Sequence, residues 1–241
     1  MVRQDYTCFT ERLESLNSSH TRIETIGVVD DYPIHRVSLE VGQGVKKNIL
    51  ITGGIHGDEP AGPASVLRFL ERDNTHLLQC FKFLILPCIN PYGYVHNTRE
   101  NKRGVDLNRS FEESGIAEVD LVKKTIKGQR FDFCIDFHED WEAKGAYLYE
   151  GQRDERWIGT EITRQIEKIG PIDGEAGEND LPIADGVFQI DPAWGDVGLA
   201  PYLFHFNADH VMICETPTSW HLDRRTAAHL IALDTALEAM G

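Results

Sequence analysis

Short apolar runs alternate along the chain with stretches whose apolar residues recur at helical spacing. The runs that predict buried strands are NILITGG (48–54), FKFLILP (81–87), FDFCIDF (131–137) and VMICE (211–215). A further run, IHRVSLEV (34–41), alternates as a half-buried strand does. The predicted helices span 5–17, 60–72, 112–129, 154–168 and 223–240. Residues 88–111 read as a long loop, and 170–200 show no pattern of regular structure.

Strands that alternate with helices and are apolar on both faces predict an α/β fold. We expect a single domain over residues 1–241, built on a mixed, mostly parallel twisted sheet with helices on both faces. A chain of 241 residues is long enough to bury a substantial core, and it contains neither repeats nor low-complexity segments.

The charge balance narrows the range of partners. The net charge is −15 and no basic stripe offsets it, so a nucleic-acid partner is not expected. No apolar run is long enough to span a membrane, and the start of the chain does not resemble a secretory signal, so the predicted location is cytoplasmic. Residues 139–200 contain 15 acidic and 5 basic residues, which concentrates a charge of −10 in one quarter of the chain.

The five cysteines form no CxxC pair, and their odd number does not suggest a disulfide framework. Cys134 and Cys214 lie within apolar runs and are expected to be buried. No neighbouring residue would obviously lower the pKa of Cys214, so the sequence does not favour it as a nucleophile.

Polar residues follow the apolar strands at the points where the strands end. His56 and Glu59 follow one strand, while His138 and Glu215 lie at the ends of two others. Because ligands of open α/β sheets bind beyond the carboxyl ends of the strands, one crevice could gather all four side chains. Two histidines and one carboxylate with an open fourth position make a catalytic zinc site. The alternative is that HxxE occurs here by chance and that both histidines are ordinary strand-end or loop residues.

Two carboxylates near these histidines have further possible roles. Asp136 shares a strand face with His138 and would either orient its imidazole or cap a turn. Glu215 ends an apolar strand, so it must be paired, linked to metal or raised in pKa. A raised pKa is what a general base needs.

The segment TRENKRGVDLNRSF (98–111) is a basic loop in an acidic protein. It contains Arg99, Arg103, Asn108 and Arg109, and arginine forms paired hydrogen bonds to carboxylates and phosphates. The segment therefore suggests an anion-binding loop. The alternative is a solvated loop whose arginines pair with the excess acids.

The segments GGIHGDEPAG, NPYG, TRENKRGVDLNRSF, DFHE and ETP, in this order, resemble the zinc metallocarboxypeptidase family. The resemblance is strongest to its small bacterial members, such as the murein peptide amidases, and more distant to the succinylglutamate desuccinylase and aspartoacylase branch. It covers residues 48–140 and 211–240, is weak before 45 and is nearly absent from 141–210. Five motifs in family order make a specific signal.

The resemblance implies one zinc ion per chain, with His56, Glu59 and His138 as its ligands. It further implies that Glu215 is the general base of the reaction. By the same resemblance, Asp106 is the carboxylate that fixes the first zinc histidine.

The basic loop acquires specific roles from the same resemblance. Asn108 and Arg109 match the pair that binds the free carboxylate of the substrate. Arg99 matches the arginine that polarises the scissile carbonyl, and Arg103 is its rival for that role.

The chain departs from the family pattern beside the predicted metal site. Glu139 and Asp140 follow His138 where carboxypeptidases tend to carry a small residue, and they could narrow the pocket or repel an acidic substrate. The mobile tyrosine of the family has no secure match, because packing is the better explanation of Tyr202.

The sequence therefore predicts a zinc-dependent hydrolase that cleaves a terminal amide bond next to a free carboxylate, with a small peptide as substrate. The alternative is an N-acyl amino acid deacylase that acts on a small acyl-amino acid. A third hypothesis is a non-catalytic carboxylate-binding protein. If the acids of 139–200 face the cleft, a basic leaving group is expected, whereas acids that face solvent would concern only solubility.

Overall fold

The structure, a computed structural model, describes residues 4–42, 44, 46–154, 156–175 and 180–241. The helices are α1 (Tyr6–Ser15), α2 (Ala61–Glu71), α3 (Pro91–His96), α4 (Ala117–Ile126), α5 (Gly159–Ile166), α6 (Leu199–Phe206) and α7 (Leu222–Met240). The strands are β1 (Thr21–Val29), β2 (Tyr32–Leu39), β3 (Lys47–Gly53), β4 (Phe81–Leu86), β5 (Phe133–Asp140), β6 (Tyr147–Gln152), β7 (Leu181–Ala184), β8 (Val187–Gln189) and β9 (His210–Pro217). Single 3₁₀ turns lie at Leu77–Gln79, Leu107–Arg109 and Pro192–Trp194.

These strands form one sheet in the order β1-β2-β4-β3-β5-β9-β6-β8-β7. The four central strands, β4, β3, β5 and β9, are parallel and correspond to the four apolar runs. Antiparallel pairs flank them, namely β1 with β2, β2 with β4, β6 with β9 and β7 with β8. The predicted α/β fold with a mixed sheet is confirmed, and the sheet is parallel across its centre and again between β6 and β8.

Helices cover both faces of the sheet, as predicted. Ile49 and Ile51 of β3 point into one apolar cluster, together with Phe69 of α2. Leu50, between them, points into the other cluster, together with Val119 of α4 and Leu203 of α6. This alternation explains why the middle of β3 is a run of consecutive apolar residues, since both faces of the strand are buried there.

The structure contains elements that the periodicity did not predict. The 88–111 segment contains α3, which is only six residues long, and a 3₁₀ turn. The 170–200 segment contains the short strands β7 and β8, and α6 begins at its end. Such elements are too short to show a periodic pattern, and neighbouring strands and caps hold them in place. The prediction that these two segments lack regular structure was therefore wrong in part.

The helices and the cysteines can be compared with the predictions from sequence. None of the helices in the described ranges combines the length and the apolar character needed to cross a membrane. Cys134 and Cys214 are buried, and all five cysteines are free.

The strand ends meet because the central strands are in parallel register. His138 of β5 lies opposite Glu215 of β9, and Gly53 of β3 lies opposite Phe137 of β5. The start of α2 packs directly on this edge of the sheet, where a Cβ on Gly62 would lie 2.9 Å from the carbonyl oxygen of Phe137. The absence of a side chain at Gly62 thus lets α2 approach β5.

We expect Gly62→Ala to destabilise the protein, although alanine is the better helix former by about 1 kcal/mol. The new Cβ would contact the Phe137 carbonyl at 2.9 Å, so either α2 or β5 must shift. The expected loss is about 1–3 kcal/mol in the free energy of unfolding. Urea denaturation followed by circular dichroism measures it, and a more stable variant would show that helix propensity dominates at this position.

Candidate metal centre

The three residues predicted to hold a metal come together at the carboxyl ends of β3 and β5. His56, Glu59 and His138 are buried, and one ligand atom from each lies within 4.8 Å of the other two. His56 Nδ1 is 2.7 Å from Glu59 Oε1, and His138 Nδ1 is 3.0 Å from Glu59 Oε2. Burial opposes ionisation of Glu59, but the two histidines outweigh it and lower its pKa to about 2. The cluster therefore presents an ionised carboxylate and two imidazoles to one point.

A tight turn after β3 directs the side chains of His56 and Glu59 toward the point where the three ligand atoms converge. Beyond Gly53 the chain passes through Gly54, whose φ of +64° lies in the left-handed region that glycine adopts easily. The carbonyl of Gly54 accepts a hydrogen bond from Asn90 N at 2.8 Å, which fixes the turn. Glu59 lies two residues before α2 begins.

Each histidine is oriented by a further carboxylate on its outer side. His56 Nε2 lies 3.2 Å from Asp106 Oδ1, and His138 Nε2 lies 2.9 Å from Asp136 Oδ2. Because the Nε2–H groups donate outward, both Nδ1 atoms are directed at the shared point, as in carboxylate–histidine–metal arrangements. Asp136 therefore orients an imidazole and does not cap a turn. Two imidazole nitrogens and a carboxylate are the ligand types that zinc prefers, and their orientation toward one point also fits a zinc ion.

Asp106 also connects the cluster to the basic loop. It accepts a hydrogen bond from Arg99 Nε at 2.9 Å and another from Asn108 N at 2.9 Å. Burial would raise the pKa of Asp106, but hydrogen bonding to His56 and the charges of His56 and Arg99 hold it well below its usual value.

Glu215 borders the same cleft on the β9 side. Its Oε2 atom is buried and has no hydrogen-bond partner among the described residues. Burial raises the pKa of Glu215 to about 8, although the charge of His138 opposes this, and the nearby carboxylates of Glu59 and Asp140 raise it further. A buried acceptor without a partner, beside the cluster, is available to take a proton.

The structure distinguishes the two candidate arginines. Arg99 borders the cleft, with Nη1 3.6 Å from Glu59 Oε1, whereas Arg103 does not. The carbonyl of Arg99 accepts a hydrogen bond from Asn90 Nδ2 at 3.1 Å. Asn90 is buried and caps α3 by accepting from Gly93 N, so it fixes the Arg99 backbone.

Asn108 and Arg109 lie together at another part of the cleft. Asn108 Oδ1 accepts a hydrogen bond from Leu199 N at 2.8 Å, which leaves the two N–H groups of its amide as donors. Arg109 Nη1 donates to the Asn108 carbonyl at 3.0 Å, and its second terminal nitrogen has no hydrogen-bond partner in the described ranges. The pair therefore presents free donors suited to a carboxylate.

Aromatic and aliphatic side chains wall the remainder of the cleft, whose volume is about 480 Å³. The residues that form this wall are Tyr147, Tyr149, Trp194, Val197, Pro201 and Ile213. Tyr149 and Trp194 meet edge to face with ring centroids 5.1 Å apart. The hydroxyl of Tyr149 donates to Asp180 at 3.0 Å, outside the cleft lining.

Most of the acidic residues of 139–200 lie away from the cleft. Among those described, Glu139 and Asp140 border it, and the carboxylate of Glu139 is bonded to Ala61 N and Arg225. Glu150 is buried elsewhere, where it accepts hydrogen bonds from the first backbone N–H groups of α5. The concentration of charge in this quarter therefore contributes to the cleft one carboxylate without a cationic partner among the described residues, that of Asp140, which accepts hydrogen bonds from the Tyr147 hydroxyl at 2.8 Å and from Glu142 N at 2.7 Å.

Neither Tyr202 nor Cys214 takes part in the cleft chemistry. Tyr202 does not border the cleft and packs against Phe111 and Phe206, with ring centroids 5.5 and 4.8 Å away. Burial raises the pKa of the Cys214 thiol well above its usual value, so it is not activated as a nucleophile.

Sequence reasoning did not identify several residues that shape the site. The wall residues Tyr147 and Tyr149 were missed, although their alternation in AYLYE is a strand signal with both rings on one face. Asn90 occurs in the NPYG motif, and an asparagine before proline and glycine is a helix-cap signal. The bonding of Glu139 to α2 and α7 left no signal, because both partners are distant in sequence.

Comparison with known proteins identifies the family. A family model described as zinc carboxypeptidase matches residues 6–144. Carboxypeptidase 2 of Trichophyton tonsurans is 23% identical over 239 residues, which covers 83% of this chain and 43% of that protein. Carboxypeptidase E of Caenorhabditis elegans is 30% identical over 117 residues, which covers 39% of this chain and 24% of that protein. The chain thus spans less than half the length of these relatives.

Solved structures show the same fold. The metallo-carboxypeptidase of Burkholderia cenocepacia superposes with a TM-score of 0.75 at 18% identity, covering 99% of this chain and 70% of that one. A candidate metallopeptidase from Shewanella denitrificans OS217 superposes with a TM-score of 0.84 at 24% identity, covering 98% and 90%. The chain belongs to the zinc carboxypeptidase family, whose cofactor is zinc, and the cluster of His56, Glu59 and His138 is the candidate site for that ion.

We expect zinc to stabilise the protein through this cluster. At about 100 times the dissociation constant, a ligand that binds only the folded state adds about 2.7 kcal/mol. His56→Ala should abolish the zinc-dependent rise in melting temperature, as measured by differential scanning fluorimetry with and without zinc. His205→Ala is the matched control, because His205 is exposed and pairs with Asp196. An equal rise in His56→Ala would place the metal elsewhere.

Proposed function

We propose that this chain is a single catalytic domain that removes a C-terminal residue, with its free carboxylate, from a small peptide. The observation that carries the proposal is the Oε2 of Glu215, which is buried beside the cluster and has no partner within the described ranges, in a cleft that Asn108 and Arg109 also border. A base, a metal site and a carboxylate anchor around one cleft are what terminal amide hydrolysis requires.

In this proposal His56, Glu59 and His138 hold the zinc ion. When bound, zinc supplies a positive charge that polarises a carbonyl and makes water more acidic. The outer carboxylates Asp106 and Asp136 keep both imidazoles aimed at the ion.

Glu215 serves as the general base. Its free Oε2 takes a proton from the attacking water and later gives it to the leaving amine, so one carboxylate acts at both stages. Burial raises the pKa of the Glu215 carboxyl above its usual range, so its carboxylate is a stronger base than one exposed to solvent.

Arg99 stabilises the charge that develops on the carbonyl oxygen of the scissile bond. Its Nε–H is bonded to Asp106, which fixes the plane of the guanidinium and leaves the terminal nitrogens as donors at the cleft. Fixed donors aimed at developing charge need no reorganisation during reaction.

The free carboxylate of the substrate binds Asn108 and Arg109. The side chain of the substrate's C-terminal residue packs against the neighbouring wall. Asn108 is joined to this wall through Leu199 N, since Val197 and Pro201 belong to the same segment. Ile213 and Tyr149 lie opposite each other in register, two residues before the level of Glu215. This wall carries no charged side chain, so it favours a substrate whose C-terminal residue is large and apolar. Acidic side chains in its place would instead have favoured a basic C-terminal residue.

Asp140, the exception, lies at the edge of this wall, where its Oδ2 accepts a hydrogen bond from the hydroxyl of Tyr147 at 2.8 Å. Its backbone is paired in register with Pro217, four residues beyond Ile213 along β9. Trp141 follows it and is 78% exposed. Because this side of the cleft is open, it accommodates a peptide chain better than the small acyl group of the alternative deacylase substrate.

We expect Glu215→Gln to lower kcat by about 10²–10⁴-fold, because it removes the proton acceptor and keeps the shape. Zinc-dependent stabilisation should persist, as read by the same melting shift. Glu142→Gln is the control, since Glu142 is exposed nearby and does not border the cleft. Retained peptidase activity in Glu215→Gln would refute the base assignment.

A substrate panel tests the binding roles. Among acylated dipeptides ending in Phe, Lys or Asp, we expect Phe to give the highest kcat/KM, by about 10- to 100-fold, since burial of that side chain contributes about 1.5–3 kcal/mol. Peptides with an amidated C-terminus should not be cleaved. Faster cleavage of N-acetyl-phenylalanine than of the dipeptides would support the deacylase instead, and equal rates for Phe and Lys would contradict the role of the wall.

A further inference from the structure

The carboxylate of Glu139 joins three elements beside the metal cluster. Its Oε1 accepts a hydrogen bond from Ala61 N at 2.5 Å, at the start of α2, and its Oε2 pairs with Arg225 of α7. The Glu139 side chain is 0% exposed and that of Arg225 is 13% exposed. A charge buried this deeply is tolerated only when it is paired and hydrogen-bonded, so these contacts fix the carboxylate in place.

The bonds of Glu139 span the gap between the two segments that carry metal ligands. Ala61 is two residues beyond Glu59, and Glu139 directly follows His138. The backbone N–H of Glu139 also donates to Glu59 Oε2 at 3.1 Å. The side chain of Glu139 therefore holds the segment that carries Glu59, and its backbone holds the Glu59 carboxylate itself.

Helix α2 depends on this distant carboxylate for its N-terminal cap. The N-cap residue is Pro60, which makes no side-chain capping hydrogen bond. Glu139 supplies the missing acceptor for Ala61 N and a negative charge at the positive end of the helix. The position of the first turn of α2 is thus set from β5.

Helix α7 holds β5 at a second, adjacent point. His229 lies four residues after Arg225 and so on the same helix face. Its Nε2–H donates to the carbonyl of His138 at 3.0 Å, and its ring stacks on Phe137 with centroids 4.7 Å apart. Arg225 and His229 therefore bind consecutive residues of β5, namely Glu139 and His138.

We propose that Glu139 and Arg225 are positioning residues of the metal centre: Arg225 fixes Glu139, and Glu139 sets the spacing between Glu59 and His138. The inference rests on the zinc site proposed above and adds two residues that are not among the predicted metal ligands. Removal of residues that orient metal ligands typically lowers metal affinity by about 10–100-fold. We expect a loss of that size when either partner is replaced.

The test compares zinc dissociation constants, measured by competition with a chromophoric chelator. Glu139→Gln keeps an acceptor for Ala61 N and removes the ion pair, while Arg225→Gln removes the cation. Both should raise the zinc dissociation constant about 10–100-fold. Arg72→Gln is the matched control, because it breaks the Arg72–Asp234 ion pair to α7 far along the helix from the cluster.

A second readout separates positioning from general stability. The visible absorption of the Co²⁺-loaded protein should change in shape in Glu139→Gln and Arg225→Gln but not in Arg72→Gln. If all three variants lose thermal stability while their zinc affinity and Co²⁺ spectrum match the wild type, the positioning role is overturned. If the wild-type protein binds no zinc, the metal site itself is refuted. Should one variant fail to fold, the other carries the measurement.

Discussion

The buried carboxylate of Glu59 is the interaction on which the architecture of the site depends. It contacts His56 from its own loop, His138 and the backbone of Glu139 from β5, and Arg99 from the basic loop. An ionised carboxylate in the interior is costly unless it is surrounded by donors and opposite charge. Three segments distant in sequence must therefore converge on this one group, and their convergence creates the cleft.

The parallel register of the central strands makes that convergence possible. Because β3, β5 and β9 end at the same edge, polar side chains that follow them meet without any long excursion of the chain. The direct contact of α2 with β5 at Gly62 then seats Glu59 against His138. Carboxylates flank both histidines: Glu59 lies between the two imidazoles, Asp106 lies on the outer side of His56, and Asp136 lies on the outer side of His138.

The sequence was informative wherever function is encoded locally. The four apolar runs predicted the centre of the sheet, and the residues that follow them include His56, Glu59 and His138, which the structure brings together. The motif spacing favoured Arg99 over Arg103 in the same loop, and of the two Arg99 alone borders the cleft, while its role stays a prediction. The roles of substrate-binding and catalytic residues remain predictions that the proposed experiments test.

What the sequence could not reveal depends on contacts between distant segments. Glu139 looked like an acid beside the pocket, yet its carboxylate is bonded to Ala61 and Arg225, which are 78 and 86 positions away. The strands β7 and β8 are four and three residues long, so pairing with neighbours rather than their own pattern defines them. The cytoplasmic location likewise stays a prediction.

The aromatic wall of the cleft has a consequence for how such a protein can diverge. Tyr149, Trp194 and Pro201 come from β6, from the 3₁₀ turn at Pro192–Trp194 and from α6, whereas the metal cluster is supported by α2, β5 and α7. Substitutions of these three residues therefore remove none of the hydrogen bonds that hold His56, Glu59 and His138. The lining of the cleft can therefore vary in one part of the chain while the residues that hold the cluster stay the same.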